Sequence, residues 1–270
     1  MNTNNKIQDM NINENTFFKK VADKYVYIIA FFIGIVIICL GAYIFIGPFV
    51  TITGAISSGS YEEKIERFTN TLIEYQGVLT LLGNGLGIIL SIALLRKIFI
   101  EDAIALKTNW KRCLICFVAG IVSIFLLGYL FDYLQVLFGI EGSSQNQELL
   151  ELSLNGRGKL AMILSIVIAA PIFEELVFRK FIYGYLSRTK LHIVVNIIIV
   201  AFIFALIHCI EENFLKFSAY FFLLNYLALS LSITVPYALS KGNIYVSILI
   251  HMFNNTLSLL YFYGVISAIL

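Results

Sequence analysis

Apolar residues in this chain come in long runs separated by short polar stretches. A helix that crosses the hydrocarbon core of a bilayer needs about 20 mostly apolar residues. Seven runs meet that length, at residues 25–50, 77–100, 113–138, 160–186, 191–210, 217–239 and 244–262. The last continues to Leu270 with Gly264 as its only break, enough for part of an eighth. The pattern predicts an all-α fold, a polytopic transmembrane helix bundle of seven spans, or eight with the partial one. The stretches between the runs read differently. Residues 1–24 are polar and Asn-rich. They do not resemble a cleaved signal peptide, because the apolar run behind them starts late, is longer than a signal core and lacks a small-residue cleavage site. Residues 51–76, with Glu62, Glu63 and Glu66, and residues 139–158 carry Ser, Asn and Gly and are expected to be solvated connections. With no internal repeat and no low-complexity tract, the chain divides into a tail (1–24), a three-span region (25–158) and a core (159–270).

Composition narrows the class. The 270 residues are 59% apolar and 13% charged, whereas soluble chains carry about 25% charged residues. A soluble fold of this size could not cover so much apolar side chain, so a multi-pass protein of the cell membrane is expected, with the lipid bilayer as its first partner. The formal charge of +2 leaves no basic excess for phosphate neutralisation, which argues against nucleic acid as a partner. Cys39, Cys113, Cys116 and Cys209 are scattered through apolar runs. Only Cys113 and Cys116 have C-x-x-C spacing, and with no second such pair or nearby His they read as helix packing rather than a zinc site. An Ile-, Asn-, Lys- and Phe-rich chain suits a low-GC bacterium.

Charge also sets the expected orientation, since Lys and Arg collect on the cytoplasmic side of a membrane. With the amino terminus inside, the inner segments hold fourteen of them, among them Arg96, Lys97, Lys111, Arg112, Arg188 and Lys190. The outer segments hold five, which are Lys64, Arg67, Arg157, Lys159 and Lys216. The tail is therefore read as cytoplasmic.

Against this background a few residues stand out. An ionisable side chain within a span costs about 2.5–3.5 kcal/mol on insertion scales, so each needs a partner or a task. Glu174, Glu175 and Arg179 lie in the fourth apolar run, His208 in the fifth and His251 in the seventh. Glu175 and Arg179, four apart with the acid nearer the amino end, are spaced to pair on one helix face. Glu174 is rotated about 100° from Glu175, and one arginine neutralises one carboxylate, so Glu174 is the surplus acid. Pro171 lacks an N–H and is expected to bend or loosen the helix just before the carboxylates. Phe204 precedes His208 by four residues and can brace its imidazole. Asn255 follows His251 by four, so the two can present donors side by side. By contrast His192, beside Arg188 and Lys190, reads as solvated. Asp132, Glu211 and Glu212 read as interfacial, and Gly83-x-x-x-Gly87 as a helix-packing element.

Three patterns in order on three apolar segments, Glu174-Glu175-x-x-x-Arg179, Phe204-x-x-x-His208 and His251-x-x-x-Asn255, resemble the CAAX protease and bacteriocin-processing (CPBP, or Abi) family of intramembrane proteases, which includes the type II CAAX prenyl endopeptidases. The resemblance covers about residues 160–260. It implies that Glu174 and His208 correspond to a water-activating pair and His251 and Asn255 to an oxyanion-stabilising pair, with Glu175 and Arg179 as accompanying acid and base. Peptide hydrolysis needs these components. The implied activity is an intramembrane endopeptidase acting on a membrane-associated peptide or protein without a cofactor. A zinc version would use Glu174, His208 and His251 as ligands, an acceptable set although it lacks H-E-x-x-H spacing. Other readings are a non-catalytic scaffold or bacteriocin-immunity protein that retains the pocket, and a proton relay through Glu174, His208 and His251. One dimension fits poorly. Counted from residues 187–190, Glu174 is about 20 Å and His208 about 26 Å along its helix at 1.5 Å per residue, so tilt, the Pro171 bend or an interfacial start to the fifth helix must close the gap.

Overall fold

The computed structural model describes residues 59–264 and, before them, residues 45, 46 and 48. The tail at 1–24, nearly all of the first apolar run and the residues assigned to part of an eighth span lie outside the described residues. Those described are helical, with no strand among them. The helices are α1 (Tyr61–Thr108), α2 (Trp110–Leu137), α3 (Gln145–Ser153), α4 (Lys159–Leu186), α5 (Ile193–His208), α6 (Phe217–Leu239) and α7 (Ile244–Phe262). Five segments are long and apolar enough to cross a membrane, namely Tyr61–Ala93 of α1 and the whole of α2, α4, α6 and α7. The chain is a membrane protein.

Two expectations are corrected. Residues 61–76 are not a solvated connection but the first turns of α1. Ser60 starts the helix with a reciprocal cap: its hydroxyl accepts from the Glu63 N–H at 3.3 Å while the Glu63 carboxylate accepts from the Ser60 N–H at 2.8 Å. No Gly or Pro interrupts residues 61–76, so the helix runs on for 48 residues, about 72 Å at 1.5 Å per residue. In the second polar stretch Ser144 caps α3 by accepting from the Gln147 N–H at 3.2 Å, so the stretch at 139–158 folds back as a short helix. The fifth apolar run is a helix of 16 residues, about 24 Å long and shorter than the other candidate spans. Its final residue is His208.

Close approach at two glycines sets α1 against α4. The Glu74 carbonyl accepts from the Gly158 N–H at 2.9 Å, and a Cβ on Gly77 would strike the Gly158 carbonyl and the Met162 N–H. A Cβ on Gly87 would run into the Phe173 ring, which agrees with the packing role read from Gly83-x-x-x-Gly87. The main core gathers Phe173, Leu176, Phe178, Phe181, Val200 and Phe204 at the junction of α4 and α5. Cys113 and Cys116 are buried free thiols packed on Ile233, Val246 and Ile250, as an apolar role requires.

Near the Lys/Arg-rich end, α7 is anchored by polar groups that hydropathy does not reveal. Asp102 Oδ2 accepts from the Ile244 N–H at 2.8 Å and pairs with Lys180 Nζ at 2.5 Å. Lys180 also donates to the Gly242 carbonyl at 2.7 Å, and Asn243 Nδ2 donates to the Asp102 carbonyl at 2.8 Å. The helix that carries His251 and Asn255 is thereby fixed at its amino end to α1 and α4.

Candidate functional site

Helix α4 is not a uniform α-helix. It carries π-helical stretches at Ser165–Ala169 and Leu176–Tyr183, on either side of the α-helical turn Ala170–Glu175. The first follows from Pro171. The Ala170 N–H bonds to the Ser165 carbonyl, one residue further back than α geometry requires, and Pro171 has no N–H to offer. The Ile166 carbonyl therefore loses the helix donors that would reach it. Asn255 Nδ2 supplies one from α7 at 2.9 Å. The loosening expected of Pro171 is realised as a widened turn held by Asn255, and such turns recur at functional sites.

Within this turn the two glutamates part company. Glu175 and Arg179 both have fully buried side chains, and Arg179 Nη1 donates to Glu175 Oε1 at 2.8 Å, the pairing their spacing predicts. Arg179 Nη2 also reaches the Ser230 hydroxyl at 3.1 Å, the Ser230 carbonyl at 3.3 Å and the Thr234 hydroxyl at 3.2 Å. The guanidinium lies 5.2 Å from the Phe204 ring centre. Ser230 and Thr234 give no sequence signal beyond being hydroxyls in an apolar helix.

Glu174 faces a cavity of about 950 Å³ together with His208, His251 and Asn255. Its Oε2 is buried with no hydrogen-bond partner. It lies 3.7 Å from His208 Nε2 and 3.8 Å from His251 Nε2, too far for a direct hydrogen bond. The dimension that fitted poorly is reconciled at the α4–α5 loop. That loop runs to His192, so α5 starts at Ile193, and Glu174 and His208 lie about 18 Å and 22 Å along their helices. The remaining difference is within side-chain reach.

Both imidazoles are oriented by their second nitrogens. His208 Nδ1 is 2.9 Å from the Phe204 carbonyl. A carbonyl only accepts, so Nδ1 carries the proton, and in the neutral ring Nε2 presents its lone pair to the Glu174 side. Phe204 stacks on His208, with ring centres 4.1 Å apart and planes at 22°. His251 Nδ1 is 2.8 Å from Glu175 Oε1, so Glu175 holds both Arg179 and His251. This linkage was not expected from sequence, and neither was the tie of Asn255 to Ile166. Asn255 Oδ1 also accepts from Asn254 Nδ2 at 3.2 Å. His251 and Asn255 thus share a face of α7, each with a partner that fixes its orientation. The zinc alternative needs His208, His251 and Glu174 gathered around one point. Among the described residues no cluster of three His, Cys, Asp or Glu side chains has the spacing to hold a metal.

Sequence reasoning missed Tyr226 altogether. Its ring lies 5.0 Å from that of His208, and its hydroxyl meets the Ser144 hydroxyl at 2.9 Å and Asn146 Nδ2 at 3.1 Å. Glu212 accepts from the Gln145 N–H at 2.7 Å. Tyr226 and Glu212 thus pin α3 across the cavity beside His208. His192 is exposed and caps α5 by accepting from the Val194 N–H at 3.3 Å, outside this cluster.

Residues 156–257 match the family model described as type II CAAX prenyl endopeptidase Rce1-like. The Rce1-like segment contains Glu174, Glu175, Arg179, Phe204, His208, His251 and Asn255, and it agrees with the family that the three motifs resemble. No curated protein and no solved structure gives a match to the chain.

Proposed function

We propose that the protein is a multi-pass intramembrane endopeptidase of the cell membrane, hydrolysing a peptide bond in a membrane-associated peptide or protein. The observation that carries this reading is Glu174: a carboxylate with no cation of its own, facing a large cavity 3.7 Å from an imidazole nitrogen whose lone pair points toward it. Two acceptors at that separation are matched by one water donating a hydrogen bond of about 2.8 Å to each. Such a water keeps a lone pair for the substrate carbonyl. As the carbon–oxygen bond forms, Glu174 takes the water's proton. It then passes that proton to the leaving amine as the carbon–nitrogen bond breaks, which returns the site to its starting state. His208 orients the water throughout.

His251 and Asn255 are assigned to the oxyanion. With Nδ1–H held by Glu175, a protonated His251 directs Nε2–H into the cavity, and its charge offsets the surplus Glu174. The Asn255 amide has a second N–H besides the one donated to Ile166. Preorganised donors of this kind are worth about 2.7–4 kcal/mol each in transition-state stabilisation. Arg179 and Glu175 act by orienting His251, and Phe204 by orienting His208. No step is routed through a metal.

The test is peptide release by the purified protein in detergent, followed by mass spectrometry of new termini. Wild type is expected to cleave, and Glu174→Ala, His208→Ala and His251→Ala to lose at least about 100-fold in rate. Chelator treatment is expected to leave the wild-type rate unchanged. Full activity in all three variants would overturn the catalytic reading and leave a scaffold or immunity protein with the same pocket.

A further inference from the structure

The cavity has one closed end and one open end, and its walls have one sign of charge. At the end bounded by the α4–α5 and α6–α7 loops it is sealed. Its floor is Phe178 and Phe204, both fully buried, and beneath them lies the main apolar core. No lining residue comes from 187–192 or 240–243. At the opposite end the walls run out to Asp132 and Gln135 on α2, Ser143 and Asn146 before and within α3, and Glu211 after α5. Asp132 and Glu211 are exposed there.

The two ends differ sharply in charge. At the open end, residues 59–76, 130–159 and 210–216 hold ten Asp or Glu against five Lys or Arg. At the closed end, residues 94–112, 180–192 and 240–243 hold nine Lys or Arg against two acids. Lys and Arg mark the cytoplasmic side, so the open end is extracytoplasmic. The lining itself contains Asp132, Glu174 and Glu211 and, among the described residues, no Lys or Arg. A free carboxyl terminus drawn into it would find no cation to pair with and would meet carboxylates instead.

We propose that the substrate reaches this cavity from the extracytoplasmic side, as a neutral or cationic stretch of polypeptide and not as an anionic carboxyl terminus. The word substrate rests on the peptidase reading, but the direction of access and the charge preference follow from the cavity alone, so both are tested without turnover. Two rhodamine-labelled peptides of one apolar sequence serve as probes, one carrying three lysines and an amidated end, the other three glutamates and a free end. Binding is measured by fluorescence anisotropy to purified Glu174→Gln protein at low salt. The lysine peptide is expected to bind at least about tenfold more tightly, and Asp132→Asn and Glu211→Gln each to reduce that preference about two- to fivefold. Sidedness is read in intact cells with a membrane-impermeant maleimide, on protein carrying Cys39→Ser so that the buried native thiols stay silent. Ser143→Cys at the mouth is expected to label, and Ser187→Cys in the α4–α5 loop only after lysis. Equal binding of the two peptides, binding of neither, tighter binding of the glutamate peptide, or labelling of Ser187→Cys alone would each overturn the proposal. Failure of the peptidase reading would show instead as peptide release undiminished in Glu174→Ala.

Discussion

Glu174 and Glu175 are neighbours with the same side chain, yet replacing each by glutamine should move stability in different directions. Glu175 is fully buried and holds Arg179 at 2.8 Å and His251 at 2.8 Å. Glu175→Gln leaves the Arg179 charge buried without its counter-ion, and breaking one half of a buried pair costs about 3–5 kcal/mol. At about 2–4 °C per kcal/mol for a chain near this size, the midpoint of unfolding should fall by about 6–20 °C. Glu174 has no cation, and one of its carboxylate oxygens is buried without a partner. Glu174→Gln removes a charge that nothing neutralises, so the midpoint should stay within about 2 °C of wild type or rise, as is common where an active site has been kept at a cost in stability. Arg179→Met should lose about as much as Glu175→Gln. The double variant Glu175→Gln/Arg179→Met should recover part of the loss, because no unpaired charge then remains. The assay is built into the molecule. Cys113, Cys116 and Cys209 are buried free thiols, so a thiol-reactive fluorophore reports unfolding of detergent-purified protein as they become exposed. A drop in Glu174→Gln as large as that in Glu175→Gln would refute the division of the two acids into a paired and a surplus one.

Other parts of the site have separate signatures. Tyr226→Phe removes the hydroxyl that meets Ser144 and Asn146, and amide exchange across Gln145–Ser153 should quicken severalfold while the rest of the bundle is unchanged. Asn255→Ala leaves the Ile166 carbonyl without its donor, which should cost about 1–3 kcal/mol in the same thiol-unfolding assay. Asn255→Asp, which cannot donate, should do no better. Gly87→Ala pushes a methyl group into the Phe173 ring and should lower the unfolding midpoint, whereas Gly85→Ala, with open space around it, should not.

How much of this was legible in the sequence depends on the range of the interaction. The pairing of Glu175 with Arg179 and the bracing of His208 by Phe204 are contacts between residues four apart on one helix, and spacing alone predicts them. The surplus acid also follows from counting charges. What spacing could not reveal is the partner across helices. His251 is tied to Glu175 on another helix, and Asn255 to a carbonyl freed by a π turn whose cause, Pro171, was visible but whose outcome depends on a donor 89 residues away. The polar stretches were misread for a different reason. A window that looks for apolar runs reads Ser60–Glu63 and Ser144–Gln147 as loop, although both carry helix-capping spacing. That same choice hid the wall of the cavity, because α3 and its anchor Tyr226 come from segments without a hydropathy signal. The fifth apolar run extends past its helix, and the chain leaves α5 at Cys209 so that His208 sits on the last turn.

The central claim is that Glu174 and His208 share a water and not a metal or a direct bond. It is tested most directly by a high-resolution density map of the wild-type protein in a lipid environment. The account predicts an ordered water within about 2.6–3.2 Å of both Glu174 Oε2 and His208 Nε2, the reach a general base requires. A direct Glu174–His208 hydrogen bond with no solvent between them, or a metal ion ligated by Glu174, His208 and His251, would contradict it.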